Sequence, residues 1–246
     1  MASKRCAKVR SLCVACGTCV RSCPRSAISI WKGLVAKINT DKCVGCGICA
    51  SDCPAGAIDI VNREMYHVSE KTVSEKRDIM ISDKFELRNI RLDEIDQAVE
   101  IESICFPPNE ACSPKNMKDR ISVAADYFLV AVDKSTGKIA GFLNGVCSDD
   151  EKFKDEFFTN ANEHDPSGKN VMLTGLDVLP EYRKKGLASY IMKTYVKNQK
   201  DNGKKTLYLT CLEEKVEMYK KMGFENNGFA DSSWGGEAWY EMILSL

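Results

Sequence analysis

The sequence predicts an α+β protein in two parts, a small cysteine-rich domain followed by a mixed-sheet α/β domain. Three observations predict it. Eight of the 13 cysteines form two copies of one pattern, thirty residues apart. Residues 62–78, NREMYHVSEKTVSEKRD, are polar and charged, and read as a linker where the composition changes. From residue 79 onward, apolar residues switch between the two-residue period of strands and the 3.6-residue period of helices. The expected domains are therefore 1–61 and 79–246, joined by 62–78.

In the first domain, Cys13, Cys16, Cys19 and Cys23 read C-x-x-C-x-x-C-x-x-x-C, followed by Pro24. Cys43, Cys46, Cys49 and Cys53 repeat the run before Pro54, and the flanks repeat with it (CVACGTCVRSCPRSAISI, CVGCGICASDCPAGAIDI). A four-iron cluster needs four soft thiolates, and this spacing supplies three from one loop and the fourth from the other run. One cluster then takes Cys13, Cys16, Cys19 and Cys53, and the second takes Cys43, Cys46, Cys49 and Cys23. Such ligation ties two half-repeats around metal in a segment too small to bury much core. Gly17, Gly45 and Gly47 suit loops whose backbone approaches the sulfur atoms closely. Disulfides would need an oxidising compartment, and no signal peptide is expected behind the basic start MASKRCAKVR. Zinc sites use separated C-x-x-C pairs rather than a triplet with a C-P. The segment resembles a bacterial-type ferredoxin with two [4Fe-4S] clusters.

Net charge is zero but unevenly spread. Residues 1–61 carry nine Lys/Arg against three Asp/Glu, whereas 79–246 carry 22 against 28. Opposite charge on the two parts is a weak mutual attraction. No run of eighteen apolar residues exists, so no membrane span is expected. A cytoplasmic protein with no nucleic-acid and no membrane partner is the expectation.

The second domain reads in the order βααβββαβαβ. Phe85–Ile90 alternates as a half-buried strand. Asp93 is expected to cap a helix carrying Ile95, Val99 and Ile101, which ends at Pro107-Pro108. Ser113-Pro114 is an N-cap followed by proline in the first turn of the next helix. Strands follow at Tyr127–Val132 and Ile139–Val146, joined through Ser135-Thr136-Gly137. The polar stretch 148–170 reads as a long mobile loop. Then come a strand (Val171–Leu179), a helix (Gly186–Gln199), a strand (Lys205–Thr210), a helix (Glu214–Met222) and a last strand (Trp239–Leu244).

Leu176-Asp177-Val178-Leu179-Pro180-Glu181-Tyr182-Arg183-Lys184-Lys185-Gly186-Leu187-Ala188 takes a strand through a basic, glycine-containing turn into a helix. Amides at the start of that helix can hold a pyrophosphate, and the lysines add charge. Downstream lies Tyr219-Lys220-Lys221-Met222-Gly223-Phe224. Together these resemble the GNAT superfamily of acetyl-CoA-dependent N-acetyltransferases, whose signature is R/Q-x-x-G-x-G/A followed by Y-x-x-x-G-F. Within it the chain looks most like the arylalkylamine (serotonin) N-acetyltransferase group, on Phe106–Ala111 (FPPNEA), Gly141–Gly145 (GFLNG), His164–Gly168 (HDPSG), Cys211 and Glu237–Met242 (EAWYEM).

The resemblance implies acetyl-CoA as co-substrate and a small-molecule amine as acceptor; the alternatives are a protein or peptide N-terminus as acceptor, or a ferredoxin-type electron carrier whose acetyltransferase-like part serves binding. It implies two neighbouring strands that splay around the cofactor, with the main chain of Leu176 and Val178 on the pantetheine arm. Arg183, Lys184, Lys185, Gly186, Leu187, Ala188 and Ser189 would hold the pyrophosphate, and Tyr219 would protonate the leaving thiolate. Histidine bases of the vertebrate type are absent, because Met172 and Thr174 stand at their positions. Glu110 in FPPNEA matches the glutamate base of insect-like members. Asp177 and Glu102 are the alternatives, Asp177 only if a bulge turns it toward the site. His164 could line the amine site. Cys6, Cys105, Cys112, Cys147 and Cys211 are expected to be small buried hydrophobes. Acetyl transfer needs no electrons, so the clusters are expected to sense redox state, serve a redox protein partner or dock one.

Overall fold

The computed structural model describes residues 3–10, 12–31, 33–63 and 77–246. The expected linker therefore lies, over 64–76, outside the described residues. The chain divides into two compact units, Met1–Arg77 and Asp78–Leu246.

In the first unit, β1 (Arg5–Val9) pairs antiparallel with β4 (Ile58–Asn62), and β2 (Ile28–Trp31) pairs with β3 (Val35–Ile38). Two short helices, α1 (Thr18–Ser22) and α2 (Ile48–Ser51), repeat the same role in each half. Each bears one buried cysteine, Cys19 and Cys49, against a core of Ala7, Ile28, Ala36, Ile38 and Ile58. That core is small even for sixty residues, which makes the sulfur-lined interior the other source of cohesion. Gly45 is required by contact as well as by conformation. Its φ is +65°, and a methyl group there would fall 2.6 Å from the carbonyl carbon and oxygen of Arg5.

Arg63 closes this unit. Its guanidinium donates to Ser3 O (2.8 Å), Thr40 O (2.6 Å) and Cys43 O (2.7 Å), one carbonyl before β1 and two in the loop between β3 and α2. Charged donors of this kind contribute roughly 1.5–3 kcal/mol each when shielded, and less when wet. Arg63→Ala is expected to destabilise the unit by about 2 kcal/mol in total, and to speed cluster loss under chelator. An unchanged rate of bleaching would show that the clamp contributes nothing.

The second unit is a seven-stranded mixed sheet in the order β10-β11-β9-β8-β7-β6-β5. Its strands are β5 (Phe85–Asn89), β6 (Phe128–Asp133), β7 (Lys138–Ser148), β8 (Asn170–Val178), β9 (Thr206–Cys211), β10 (Glu225–Phe229) and β11 (Tyr240–Ser245). Residues 77–84 are helical (α3). The remaining helices are α4 (Ile95–Cys105), α5 (Pro114–Ala124), α6 (Glu156–Thr159), α7 (Leu187–Asp201) and α8 (Glu213–Lys221). Successive β7 side chains face opposite ways. Phe142 joins Ile101, Met117 and Ile121 beneath α4 and α5, and Leu143 joins Leu187, Ile191 and Tyr195 beneath α7. The α+β architecture read from the sequence is present.

Two features position the site. β8 and β9 are parallel, yet they pair only at Asn170–Thr206, Val171–Leu207 and Met172–Tyr208. Beyond Met172 the strands diverge. In addition, the β7–β8 register shifts between Asn144 and Gly145: Asn144 faces Gly175 and Gly145 faces Leu173, leaving Thr174 as the extra residue. This bulge changes the strand's phase, so Thr174 and Asp177 emerge on the same face.

Three local expectations are corrected. Asp93 is not the helix cap. It lies in a 3-10 turn, Leu92–Glu94, where the Glu94 carboxylate accepts the Arg91 N–H (2.9 Å) and pairs with Arg88. The stretch 148–170 is not a bare loop: it contains α6, and Phe153 and Phe157 are buried against Val146, Met172 and Tyr208. β10 is an additional strand, formed by the polar run ENNGF. The Ser113 cap is present, its hydroxyl accepting from Asn116 N (3.1 Å).

Candidate functional site

The repeated cysteines collect around two small cavities. Cys13, Cys16, Cys19 and Cys53 line one, with Pro54. Cys23, Cys43, Cys46 and Cys49 line the other, with Pro24. Backbone amides aim at four of the sulfurs, each at 3.3 Å: Ala36 N to Cys13, Ala57 N to Cys53, Ala7 N to Cys43 and Ala27 N to Cys23. The same two positions of each run are served, as an internal repeat requires. Crowding makes thiolates costly. Burial, then Cys43, Cys23 and Cys46, pushes the Cys49 thiol up to about 11. Four soft sulfurs, with no carboxylate or imidazole lining either cavity among the described residues, fit a cationic iron–sulfur core, which would offset that cost.

In the second unit the divergence of β8 and β9 opens a cavity of about 350 Å³. Leu173–Leu176 of β8 and Leu209–Cys211 of β9 form its walls, and Met218 and Tyr219 of α8 close one side. Glu102, Cys105, Phe106, Pro107 and Glu110 come from the end of α4 and its following loop. Phe158, Trp234 and Trp239 supply an aromatic wall, in which Phe158 stacks on Trp234 at 5.0 Å. Trp234 Nε1 donates to Glu110 O (2.9 Å), so this wall also fixes the FPPNEA loop.

The turn after β8 is shaped for a helix entry. Gly186, at φ 92°, is the N-cap of α7, and no side chain caps the amides that follow. An anion is the natural partner for such amides. Lys184 (φ 60°) and Lys185 are exposed beside it, with Lys185 Nζ donating to Glu181 O (2.8 Å).

The acetyltransferase (GNAT) family model matches residues 95–224, over half of the 246. The chain belongs to the acetyltransferase (GNAT) family. A 4Fe-4S dicluster domain model matches residues 12–63. Among solved structures, the loading GNATL domain of CurA from Lyngbya majuscula aligns at TM-score 0.57 and 13% identity, over 65% of this chain and 97% of that one. The GphF GNAT-like decarboxylase in complex with isobutyryl-CoA aligns at 0.53 and 16%, over 65% and 98%. Ard1 from Thermoplasma volcanium aligns at 0.51 and 15%, over 66% and 98%. At these identities the likeness shows the fold. No match is found among curated proteins.

The GNAT unit brings several expected residues together and leaves others apart. Tyr219, Glu110 and Leu176 share the cavity. Tyr219 packs edge-on to Phe224 (5.8 Å), and burial, then Cys211 and Asp177, raises its phenol above the ordinary range. Burial, then Glu237 and Glu214, raises Glu110. Val178 and residues 183–189 do not line this cavity. The Val178 carbonyl accepts Arg183 Nε (2.7 Å), so part of the arginine holds the turn itself. His164 is not at the cavity: its Nδ1 accepts from Cys147 N (3.1 Å) and its ring packs on Tyr127. Cys147 and Cys211 are buried, as expected of small hydrophobes, whereas Cys105 and Cys112 are partly exposed.

Sequence reasoning missed Arg120. It is buried on α5, donating to Asn144 Oδ1 (3.0 Å) and Phe158 O (2.8 Å). The available signal was an arginine on the apolar face set by Met117, Ile121 and Ala124. No described helix is long and apolar enough to cross a membrane.

Proposed function

We propose that the GNAT unit transfers the acetyl group of acetyl-CoA to a primary amine of the arylalkylamine type, in the cavity between β8 and β9. The observation that carries this reading is the divergence of those strands after Met172 and Tyr208, with Tyr219 and Glu110 on one cavity. Leu176 and Val178 would present main-chain groups to the pantetheine arm. Arg183 to Ser189, opening α7, would hold the pyrophosphate. Tyr219, kept protonated, gives its proton to the leaving thiolate, and the amine's proton leaves toward Glu110. Positioning supplies most of the rate, since well-oriented reactants remove about 7–11 kcal/mol of barrier. The aromatic wall of Phe158, Trp234 and Trp239 supports an acceptor whose amine carries a flat apolar group.

In the first unit, Cys13, Cys16, Cys19 and Cys53 would hold one [4Fe-4S] cluster, and Cys43, Cys46, Cys49 and Cys23 the second. Bound clusters supply one-electron redox chemistry, for sensing or for a redox partner. The domain limits that go with this reading are 1–61 and 79–246. A thiol-release assay on anaerobic protein tests it, with acetyl-CoA against arylalkylamines, polyamines and peptides with free N-termini. Turnover is expected with the arylalkylamines. No turnover with any acceptor, together with no acetyl-CoA binding, would sink the acetyl-transfer reading. Equal rates for dithionite-reduced and oxidised protein would exclude redox control.

A further inference from the structure

A buried acidic cluster stands behind the cavity wall. Glu102 of α4 lines the cavity while only 4% exposed, and Asp177 of β8 is fully buried beside it. The bulge in β8 is what turns Asp177 toward α4. Gly175 lies between them: a methyl group there would sit 3.2 Å from Asp177 Oδ2, 3.8 Å from Glu102 Oε2 and 2.9 Å from Asn144 Nδ2. None of those three atoms has a hydrogen-bond partner among the described residues, nor does Asp177 Oδ1. Glu102 Oε1 is different, accepting from Cys112 N (2.8 Å).

Two carboxyls this buried, each with an oxygen within 4 Å of one point above Gly175, do not both ionise readily. The backbone donor falls to Glu102, so Glu102 is the anion and Asp177 the neutral acid. The charges facing them agree. Burial, then Glu102, holds the Asp177 proton on, against the Cys105 thiol and the Arg183 and Arg120 guanidiniums. Burial raises Glu102, opposed by the Cys112 amide and Arg120. Tyr219 faces the pair from α8 and the Cys112 thiol from the following loop, both themselves raised.

We infer that Glu102 and Asp177 form one electrostatically linked carboxyl pair in the wall of the acetyl-transfer cavity, Asp177 holding a proton, with Glu102 the catalytic residue that takes the proton of the bound amine and Asp177 its positioning residue. The inference rests on the acetyl-transfer reading and deepens it. The ammonium nitrogen loses two protons per turnover. The first passes to Glu102 and leaves to solvent through the cavity that Glu102 and the partly exposed Glu110 both line. The nitrogen lone pair forms the C–N bond as the C–S bond breaks. The second N–H proton replaces the one that Tyr219 gives to the thiolate.

Two measurements on the full chain with clusters intact test this. In infrared difference spectra at pH 7, the wild-type protein is expected to show a protonated-carboxyl stretch that shifts in D2O and is absent from Asp177→Asn. No such band in the wild type would overturn the pair. In kinetics, Glu102→Gln, which retains an acceptor for Cys112 N, is expected to lower kcat at pH 7 by about 100-fold or more. The acetyl-CoA KM should stay within about twofold, and log kcat should rise with pH toward the amine pKa, because free amine then needs no base. Wild-type kcat at pH 7 overturns the role of Glu102, as does a loss equal at every pH, which marks a purely structural effect. Glu102→Asp should keep the wild-type form of the pH profile at reduced kcat; a Gln-like profile would overturn the role. Failure of wild-type turnover with every acceptor removes the acetyl-transfer reading and the base role together, while the infrared band alone decides whether Asp177 holds the pair's proton.

Discussion

Tyr219→Phe lowers kcat by about 10²–10⁴-fold, the usual contribution of a positioned proton donor, or about 3–5 kcal/mol of barrier. The physical reason is the leaving thiolate, which needs a proton inside a cavity that offers few donors. Burial, then Cys211 and Asp177, raises the Tyr219 phenol, which leaves it protonated for the donor role proposed for it. Phenylalanine retains the edge-on contact with Phe224 and the packing of α8. Acetyl-CoA affinity is therefore expected to be nearly unchanged, and calorimetric binding beside steady-state kinetics separates the two effects. Retained kcat would show that Tyr219 only packs against the substrate.

Cys49→Ala is expected to have the largest effect on stability. Cys49 is 5% exposed on α2, among the sulfurs of the second cavity and part of the small core of its unit. Removing it leaves three ligands and a void, in a unit that has little apolar area to compensate. Metal sites in domains this small contribute folding free energy directly. Iron content is expected to fall to half or below, with loss of the sulfur-to-iron absorbance and of the cooperative melting of the first unit. The GNAT unit should keep its own thermal transition, because its core of Leu143, Ile191 and Tyr195 is separate. Full iron content in the variant would refute the assignment of Cys49 as a ligand.

Legibility in the sequence followed the range of the interactions concerned. The eight cysteines were readable because ligand chemistry and chain spacing are local. The sheet strands with regular alternation were readable for the same reason, as were the turn at 183–188 and the tyrosine at 219. What escaped depends on tertiary contact. Phe153 and Phe157 lie in a polar stretch whose burial is decided by Met172 and Tyr208. ENNGF forms β10 because β11 pairs with it at Glu225–Ile243, Asn226–Met242 and Phe229–Tyr240, against its own weak strand propensity. The direction of Asp177 could not be read by alternation, since one extra residue at Thr174 reverses the count. Arg120 and Asn144 acquire meaning only when α5 is laid against β7.

The three-rung pairing of β8 with β9 has a mechanical consequence. β9, β11 and β10 form an antiparallel set of their own, joined to the rest of the sheet through that short zipper. It is a short seam, and amides along it should exchange with solvent sooner than those between β6 and β7. A ligand lodged in the fork contacts both halves and acts as a suture. It raises the cost of opening in proportion to RT ln(1 + [L]/Kd). Occupancy of the cavity thereby sets how long the C-terminal half of the sheet resists proteolysis.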